Sequence, residues 1–416
     1  MLRANKYDNN PAVLFPSPLK NNYEEMLDKM YQDKKPISNA THDQRNDKRA
    51  HKGQRYTSVK SSSTSKEYMF LSGEKELGRG AYGVVKCVME VQTDTDRKPI
   101  YYAVKKNYIA NNDSRLQILK EAEIHQHLKA VHSEKLLLMI DVMDTVNSKE
   151  ECIVYQIFPL MSFDGNHVLN SGFYNENFLI YLSQLLVNTF SELHDHYFYH
   201  CDLKPDNILF HVDGYARIAD FGSAVLFIDD TILSSRASVL AENLAPEFYF
   251  LCANKSKPSD LEKAYQLLDA WHIGLTLLKF SLMQHPSSLN AKHDAELFFK
   301  SIRDYLKMSC GNKTDKKKLS YLYAFIKAQS QVFTTHLDEI LKHVDPVIAE
   351  VIKGFLTINW EQRLTPHEAH KKLASLSYDE HALKGYLEKM KTPIHQAELV
   401  LDDSSRHAKR PRMGSA

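Results

Sequence analysis

The chain has 416 residues, with 53 Lys and Arg against 52 Asp and Glu, a formal net charge of +1 and 43% hydrophobic residues. At roughly 150 residues per domain this is two to three domains, or one large two-lobed domain with tails, and the balanced charge argues against electrostatic coating of nucleic acid or an anionic membrane. The 5 cysteines are widely spaced with no C-x-x-C pair, which excludes a disulfide framework or zinc ribbon, and the longest apolar stretch, 270–283, is interrupted by His272 and Lys279 and is too short to span a bilayer.

The charge is unevenly distributed: residues 1–66 carry 13 basic and 7 acidic residues, whereas 67–375 carry 33 and 39. The leading 66 residues mix Asn, Lys, Ser, Asp and Pro with few aliphatics and read as a largely disordered basic arm, with one short helical pattern at 23–31. Strand patterns begin near Tyr68. Val85, Cys87, Met89 and Val91 alternate with Lys86 and Glu90, and a second β-branched and aromatic run covers 100–108, so the two predict an antiparallel hairpin. Residues 114–128 switch to helical spacing, with Ser114 and Gln117 offering a capping box and Ile118, Glu121, His125 and Leu128 falling on one stripe. A buried strand follows at 153–158. Helical patterns then dominate, at 177–196, 261–283, 318–331, 346–357 and 365–373. The reading is α+β: a small antiparallel β-rich lobe with one key helix over about 67–158, then a larger α-helical lobe over about 159–375, with 376–416 as an extension ending in a basic tail.

Gly78, Gly80 and Gly83 with Val85 complete a G-x-G-x-x-G-x-V pattern. The same glycines open dinucleotide-binding βαβ units, but here they lead into another strand, as a flap over phosphates requires. On the next strand Ala103 and Lys105 share a face, pairing a small residue that admits a flat base with an ammonium that reaches phosphates. Glu121 lies on the inward helix stripe and Glu123 about 200° away from it, which makes Glu121 the partner for Lys105.

With these residues the chain resembles the eukaryotic-type serine/threonine protein kinase family. His200-Cys201-Asp202-Leu203-Lys204-Pro205-Asp206-Asn207 resembles its catalytic loop, Asp220-Phe221-Gly222 its metal-binding motif, and Ala245-Pro246-Glu247 the end of its activation segment. Asp269-Ala270-Trp271-His272-Ile273-Gly274 resembles the helix that anchors the catalytic loop, and Arg363 the partner of Glu247. The resemblance runs from about Tyr68 to Leu373 and implies a bilobal kinase fold that binds ATP and Mg²⁺ and transfers the γ-phosphate to a protein hydroxyl. It makes Asp202 and Lys204 catalytic, assigns Asn207 and Asp220 to the metal, and gives the nucleotide to Gly78, Gly80, Gly83, Val85, Ala103, Lys105, Glu121, Gln156 and Phe158. Tyr155 is the implied gatekeeper and 155–158 the gatekeeper and hinge together. Lys204 is the serine/threonine-type lysine.

Several positions depart from that pattern. Cys201 replaces the arginine that pairs with a phosphorylated activation-loop residue, and a thiol lacks the bidentate fork, so the expectation is competence without activation-loop phosphorylation. Leu240 stands where the family has a threonine near the catalytic Asp, unless Ser238 takes that place, and His125 stands where an apolar residue packs on Phe221. Residues 284–344 look like an enlarged helical insertion carrying Lys316, Lys317 and Lys318, whose default reading is a solvated loop. A pseudokinase scaffold is the alternative function, a small-molecule kinase a further rival, and nucleic-acid binding, supported only by the basic arm, is not expected. The acidic catalytic region suggests basic sites in protein substrates or docking of the chain's own basic arm. The expected location is the cytoplasm, with no membrane partner; Lys409, Arg410 and Arg412 leave the nucleus open.

Overall fold

The computed structural model describes residues 41–43, 57–61, 63–70, 76–80, 83–91, 100–109, 112–146, 152–171, 175–228, 231–234, 245–248, 251, 258–282, 324, 328 and 330–390. Among them no helix is long and apolar enough to cross a membrane. The helical pattern at 23–31, Ser238 and Leu240, the lysines at 316–318 and the tail at 409–412 lie outside the described residues.

The N-terminal lobe is an antiparallel sheet of β1 (Thr41–Asp43), β2 (Thr57–Lys60), β3 (Glu67–Phe70), β4 (Gly78–Gly80), β5 (Gly83–Glu90), β6 (Tyr101–Tyr108), β7 (Asp141–Val146) and β8 (Cys152–Pro159). The spatial order is β1-β2-β3-β5-β6-β8-β7, with β4 also on β5. The predicted β5–β6 hairpin is present, yet Val84 and Val88 supply its fully buried face and Val85, Cys87 and Met89 are half-buried. The sheet curls so that one face closes on an apolar core containing Val59, Tyr68, Val88, Tyr102, Val104 and Tyr155, and the other face carries helix α1 (Asn112–Leu128). α1 buries Ile118, Glu121, His125 and Leu128 as the stripe predicted, together with Leu119 and Ile124, but it begins at Asn112, ahead of the capping box expected at Ser114.

Two boundaries move. β2 adds to the edge of β3, and Val59 is fully buried in the lobe's core, so residues 57–60 belong to the sheet and the lobe begins before residue 67. Ser63 Oγ and Thr64 Oγ1 donate to the buried Asp141 at 2.9 and 2.7 Å, fastening the β2–β3 turn to the start of β7. At the other end α8 (Glu380–Glu388) buries Leu383, Tyr386 and Leu387 against the helical lobe, with Tyr386 on Phe178 at 5.2 Å, so the folded unit continues past 375.

The C-terminal lobe packs α2 (Gly165–Ser171), α3 (Glu176–Asp195), α4 (Pro258–Ser281), α5 (Ser330–Ile340), α6 (Pro346–Phe355), α7 (Pro366–Leu373) and α8 around one core that includes Phe178, Leu186, Phe190, Leu268, Leu277 and Ile352. α3 starts at the Asn175 cap, whose side chain accepts from the Phe178 N–H, and α7 carries a Thr365/Glu368 capping box. α5 stacks Phe333 on Trp271 at 6.3 Å, so 330–344 is core of the lobe, and only the earlier part of the expected insertion remains a candidate for one. Two three-stranded sheets face the other lobe: β9 (Phe163–Asp164), β11 (Ile208–Phe210) and β12 (Ala216–Ile218), and β10 (Phe198–Tyr199), β13 (Val225–Ile228) and β14 (Thr231–Ser234).

Candidate active site

Strand register assembles the upper half of the site. Val85 lies opposite Lys105 and Cys87 opposite Ala103, while β8 sets Gln156 opposite Lys105 and Phe158 opposite Ala103. Directly opposed residues share a face, so Val85, Ala103, Lys105, Gln156 and Phe158 all lie on the face that α1 covers. Lys105 Nζ reaches Glu121 Oε1 at 3.2 Å and Oε2 at 3.4 Å. In the glycine-rich strand pair, Gly78 lies opposite Val85 and Gly80 opposite Gly83. A Cβ on Gly83 would fall 1.9 Å from the Lys106 carbonyl oxygen, so that glycine is required by strand approach; a Cβ on Gly78 would meet nothing within 4 Å, leaving open space beside the backbone.

The lower half hangs from Asp269 on α4. Its buried carboxylate accepts from the backbone N–H groups of His200 and Cys201, each at 2.8 Å, and lies 3.1 Å from His194 Nε2. Burial pushes the Asp269 carboxyl up, but His194, His200 and the Cys201 N–H outweigh it and hold the group below its ordinary range. The loop so anchored holds Cys201 at φ +65, in the left-handed region. Asp202 Oδ2 accepts from Lys204 Nζ at 2.6 Å, while its Oδ1 is buried without a partner. Asn207 Nδ2 donates to the Asp202 carbonyl at 2.7 Å, which leaves the amide's Oδ1 as its outward group. From Asn207 the β11–β12 hairpin returns the chain to Asp220, itself at φ +64, and the Ala219 carbonyl lies 3.1 Å from His200 Nε2.

These groups tune one another. Asp220 keeps solvent access although protein atoms crowd it; burial pushes its carboxyl up, and Lys105, His200, Lys204 and the Gly222 N–H together bring it below the usual carboxylate value. Burial works against the charged form of Lys105, but Glu121 and Asp220 more than restore it, and Lys204 is likewise held above its ordinary value against burial, chiefly by Asp202. Lys105, Lys204 and Asp220 are therefore all held toward their charged forms around one point.

An aromatic column ties the halves together. His200 packs on Phe221 at 5.0 Å, Phe221 on His125 at 5.5 Å, and His125 on Phe158 at 5.6 Å. His125 Nδ1 accepts from the Met139 N–H at 3.3 Å, and burial, then Lys105, push its pKa down to about 3.

Tyr155 does not serve as gatekeeper. It lies opposite Lys106, on the face away from the site, packed on Phe70 in the sheet's own core. The strand runs on to Pro159, so 155–158 is not a hinge; Phe158 stands at the back of the site, and 159–162 connects the lobes. Gln156, expected at the nucleotide, is fully buried and accepts from Asn107 Nδ2 at 2.9 Å, behind Lys105. A one-residue choice of phase decides which side chains face the site, and a strand buried on both faces over 153–157 carries no alternating pattern to fix it. The sequence reading also missed Leu209, Ala219 and Met161, which pack with Phe158 and Leu137 at the floor. Leu209 was accessible from its place two residues after Asn207.

Among the described residues no group of three or more His, Cys, Asp or Glu could hold a metal ion alone. Asp220 and the Asn207 Oδ1 are two hard oxygen donors, and Mg²⁺ is ordinarily bound by one or two protein oxygens together with waters and substrate phosphates. The donor set therefore fits Mg²⁺ that arrives with a nucleotide.

The family profile described as protein kinase domain matches residues 71–373. Similar proteins include mitogen-activated protein kinase 3 of Oryza sativa subsp. japonica, 29% identical over 210 residues that cover 48% of this chain and 50% of that protein. Mitogen-activated protein kinases 14 and 3 of Arabidopsis thaliana are 24% and 25% identical over 303 and 312 residues, covering 71% and 72% of this chain and 76% and 77% of their own lengths. The chain thus spans about half the length of the rice relative and about three quarters of the two Arabidopsis relatives. With a family match over most of its length and every motif of the resemblance in order, the chain belongs to the protein kinase family.

Proposed function

We propose that the protein is an ATP-dependent serine/threonine protein kinase. The observation that carries this reading is the Asp202 carboxylate, with Oδ2 fixed by Lys204 and Oδ1 buried and unsatisfied. A buried acceptor without a donor is costly, and a substrate hydroxyl supplies the missing proton donor. Asp202 then takes that proton as the oxygen attacks, a contribution of about 10²- to 10⁴-fold. Lys204 neutralises charge on the moving phosphoryl group, and Lys105, steadied by Glu121, holds the nucleotide's phosphates. Asp220 and the Asn207 Oδ1 would hold magnesium, which would supply further charge neutralisation. Val85, Ala103 and Leu209 sandwich the base, with Phe158 closing the back.

Lys204 favours serine and threonine over tyrosine, and the acidic excess of 67–375, 39 acidic against 33 basic residues, favours basic flanking sequence in the protein substrate. Activity independent of activation-loop phosphorylation follows from Cys201. The test is incorporation of labelled phosphate from ATP and Mg²⁺ into basic and acidic serine peptides by wild type and Asp202→Ala. Incorporation lost in the variant, with nucleotide binding intact, is the expected result. Equal signals in both proteins would leave the pseudokinase reading standing.

A further inference from the structure

Cys201 lies 1% exposed at the place where the resemblance calls for a phosphate-binding arginine, with its Sγ 3.5 Å from the Tyr199 carbonyl oxygen. Tyr199 belongs to a cluster of four buried rings from four parts of the chain: Tyr199 of β10, Phe227 of β13, Tyr265 of α4, and Phe248 just after Glu247. Tyr199 and Phe227 stand edge to face at 5.6 Å and 89°, and Tyr265 lies 6.4 Å from Tyr199, 6.1 Å from Phe227 and 5.6 Å from Phe248. These are the offset and edge-to-face separations that aromatic pairs favour. The Tyr199 hydroxyl donates to Glu262 Oε1 at 2.9 Å, and among the described residues the carboxylates of Glu262 and Asp269 bear on that ring.

The backbone adds a second tie. Phe198 and Tyr199 pair with Leu226 and Val225, the Phe227 N–H donates to the Tyr197 carbonyl at 3.1 Å, and β13 continues into a hairpin with β14, from Val225 opposite Ser234 to Ile228 opposite Thr231. A phosphate brought to this spot would meet carboxylates instead of a guanidinium fork, and would be repelled. Burial of the rings needs no such charge.

We propose that Tyr199, Phe227, Tyr265 and Phe248 are positioning residues. Their packing, with the β13–β14 hairpin, holds both ends of the segment between Asp220 and Glu247 in working geometry, where an arginine and a phosphate would otherwise do so. The inference rests on the kinase reading and extends it from what Cys201 lacks to what replaces it.

The test compares wild type, Phe227→Ala, Tyr265→Ala, the conservative Tyr265→Phe, and a variant with alanine at Thr231, Ser234 and Ser235, all in the full chain. Phosphatase-treated wild type and the three-alanine variant keep their activity, and Tyr265→Phe behaves as wild type. The two ring deletions lose on the order of 10²-fold in kcat/KM for a serine peptide, as displacement of a positioned segment does, with nucleotide affinity unchanged. Their amide exchange rises at 225–228 and 231–234 while 176–195 stays protected. Activity lost on phosphatase treatment, or full activity in both ring deletions, overturns the proposal; so does exchange that rises throughout the lobe in Tyr265→Phe as well as in the alanine variants. If wild type transfers no more phosphate than Asp202→Ala, the kinase reading fails, and the exchange data still decide the packing: a rise confined to β13 and β14 supports it, and no change overturns it.

Discussion

His125 places an imidazole within a column of rings where an aliphatic side chain would fit without polar cost. Its Nδ1 is satisfied by the Met139 N–H, which puts the proton of the neutral ring on Nε2, and that atom is buried without a partner. An unsatisfied buried donor costs about 1–3 kcal/mol, so His125→Leu, close in volume, is expected to raise the thermal midpoint at neutral pH. The pH dependence has a definite sign. The folded pKa is lowered from 6.5 to about 3, so between those values the unfolded chain binds a proton that the folded chain refuses. Stability from this group is complete above pH 6.5 and falls as pH drops below it. Denaturant titrations from pH 7 to 4 should show a shallower acid decline in His125→Leu than in wild type; parallel curves would disprove the assignment. Lys105, Glu121, Asp202, Lys204, Asn207 and Asp220, which the fold brings together, were legible in the sequence because the family's motifs carry those residue types at characteristic spacings. The unsatisfied atoms of Asp202 and His125 were not, since satisfaction depends on neighbours far away in the chain.

Among the elements, the β2–β3 hairpin is the addition that composition obscured. Its turn reads as a Ser/Thr/Lys run, yet Ser63 and Thr64 both donate to Asp141, the Tyr68 hydroxyl lies 3.5 Å from the same carboxylate, and Val59 is buried in the core. Asp141→Ala removes the acceptor these hydroxyls share. The expected effect is a loss of about 1–3 kcal/mol with early amide exchange confined to 57–70, measured against unchanged exchange in α3. β7 was missed for a related reason. Its Asp141 and Asp144 look solvent-facing in sequence, but Asp144 is buried and paired with Arg115 of α1, Nε to Oδ2 at 2.9 Å. By contrast α3, α4, α6 and α7 were read within a few residues of their bounds, because apolar periodicity and end caps are local signals.

Across the whole molecule, the segment leaving the site is pinned to the end of the kinase domain by Glu247 and Arg363. Both are buried, joined by two N–H to carboxylate contacts, one of them Nη2 to Oε2 at 2.8 Å, and the guanidinium also donates to the carbonyls of Thr357 and Leu267 and lies 5.0 Å over the Trp271 ring. Removing one member of such a pair leaves an uncompensated buried charge. Arg363→Met is expected to cost about 3–5 kcal/mol, and the double variant Glu247→Leu with Arg363→Met less than that, as measured by denaturant unfolding; additive losses would contradict the coupling. The sequence by itself determined the family, the two-lobed α+β architecture, the uneven charge along the chain, and the motif residues that the fold brings together, because each is written in local spacing or composition. Tertiary structure alone decided the sheet's phase at β8, which turned Tyr155 away from the site and set Phe158 at its back. It also carried the folded unit past the expected bounds at 67 and 375, and assembled the ring cluster around Tyr199. All of these depend on which distant segments come to lie side by side, and a pairing of that kind leaves no mark in either partner read alone.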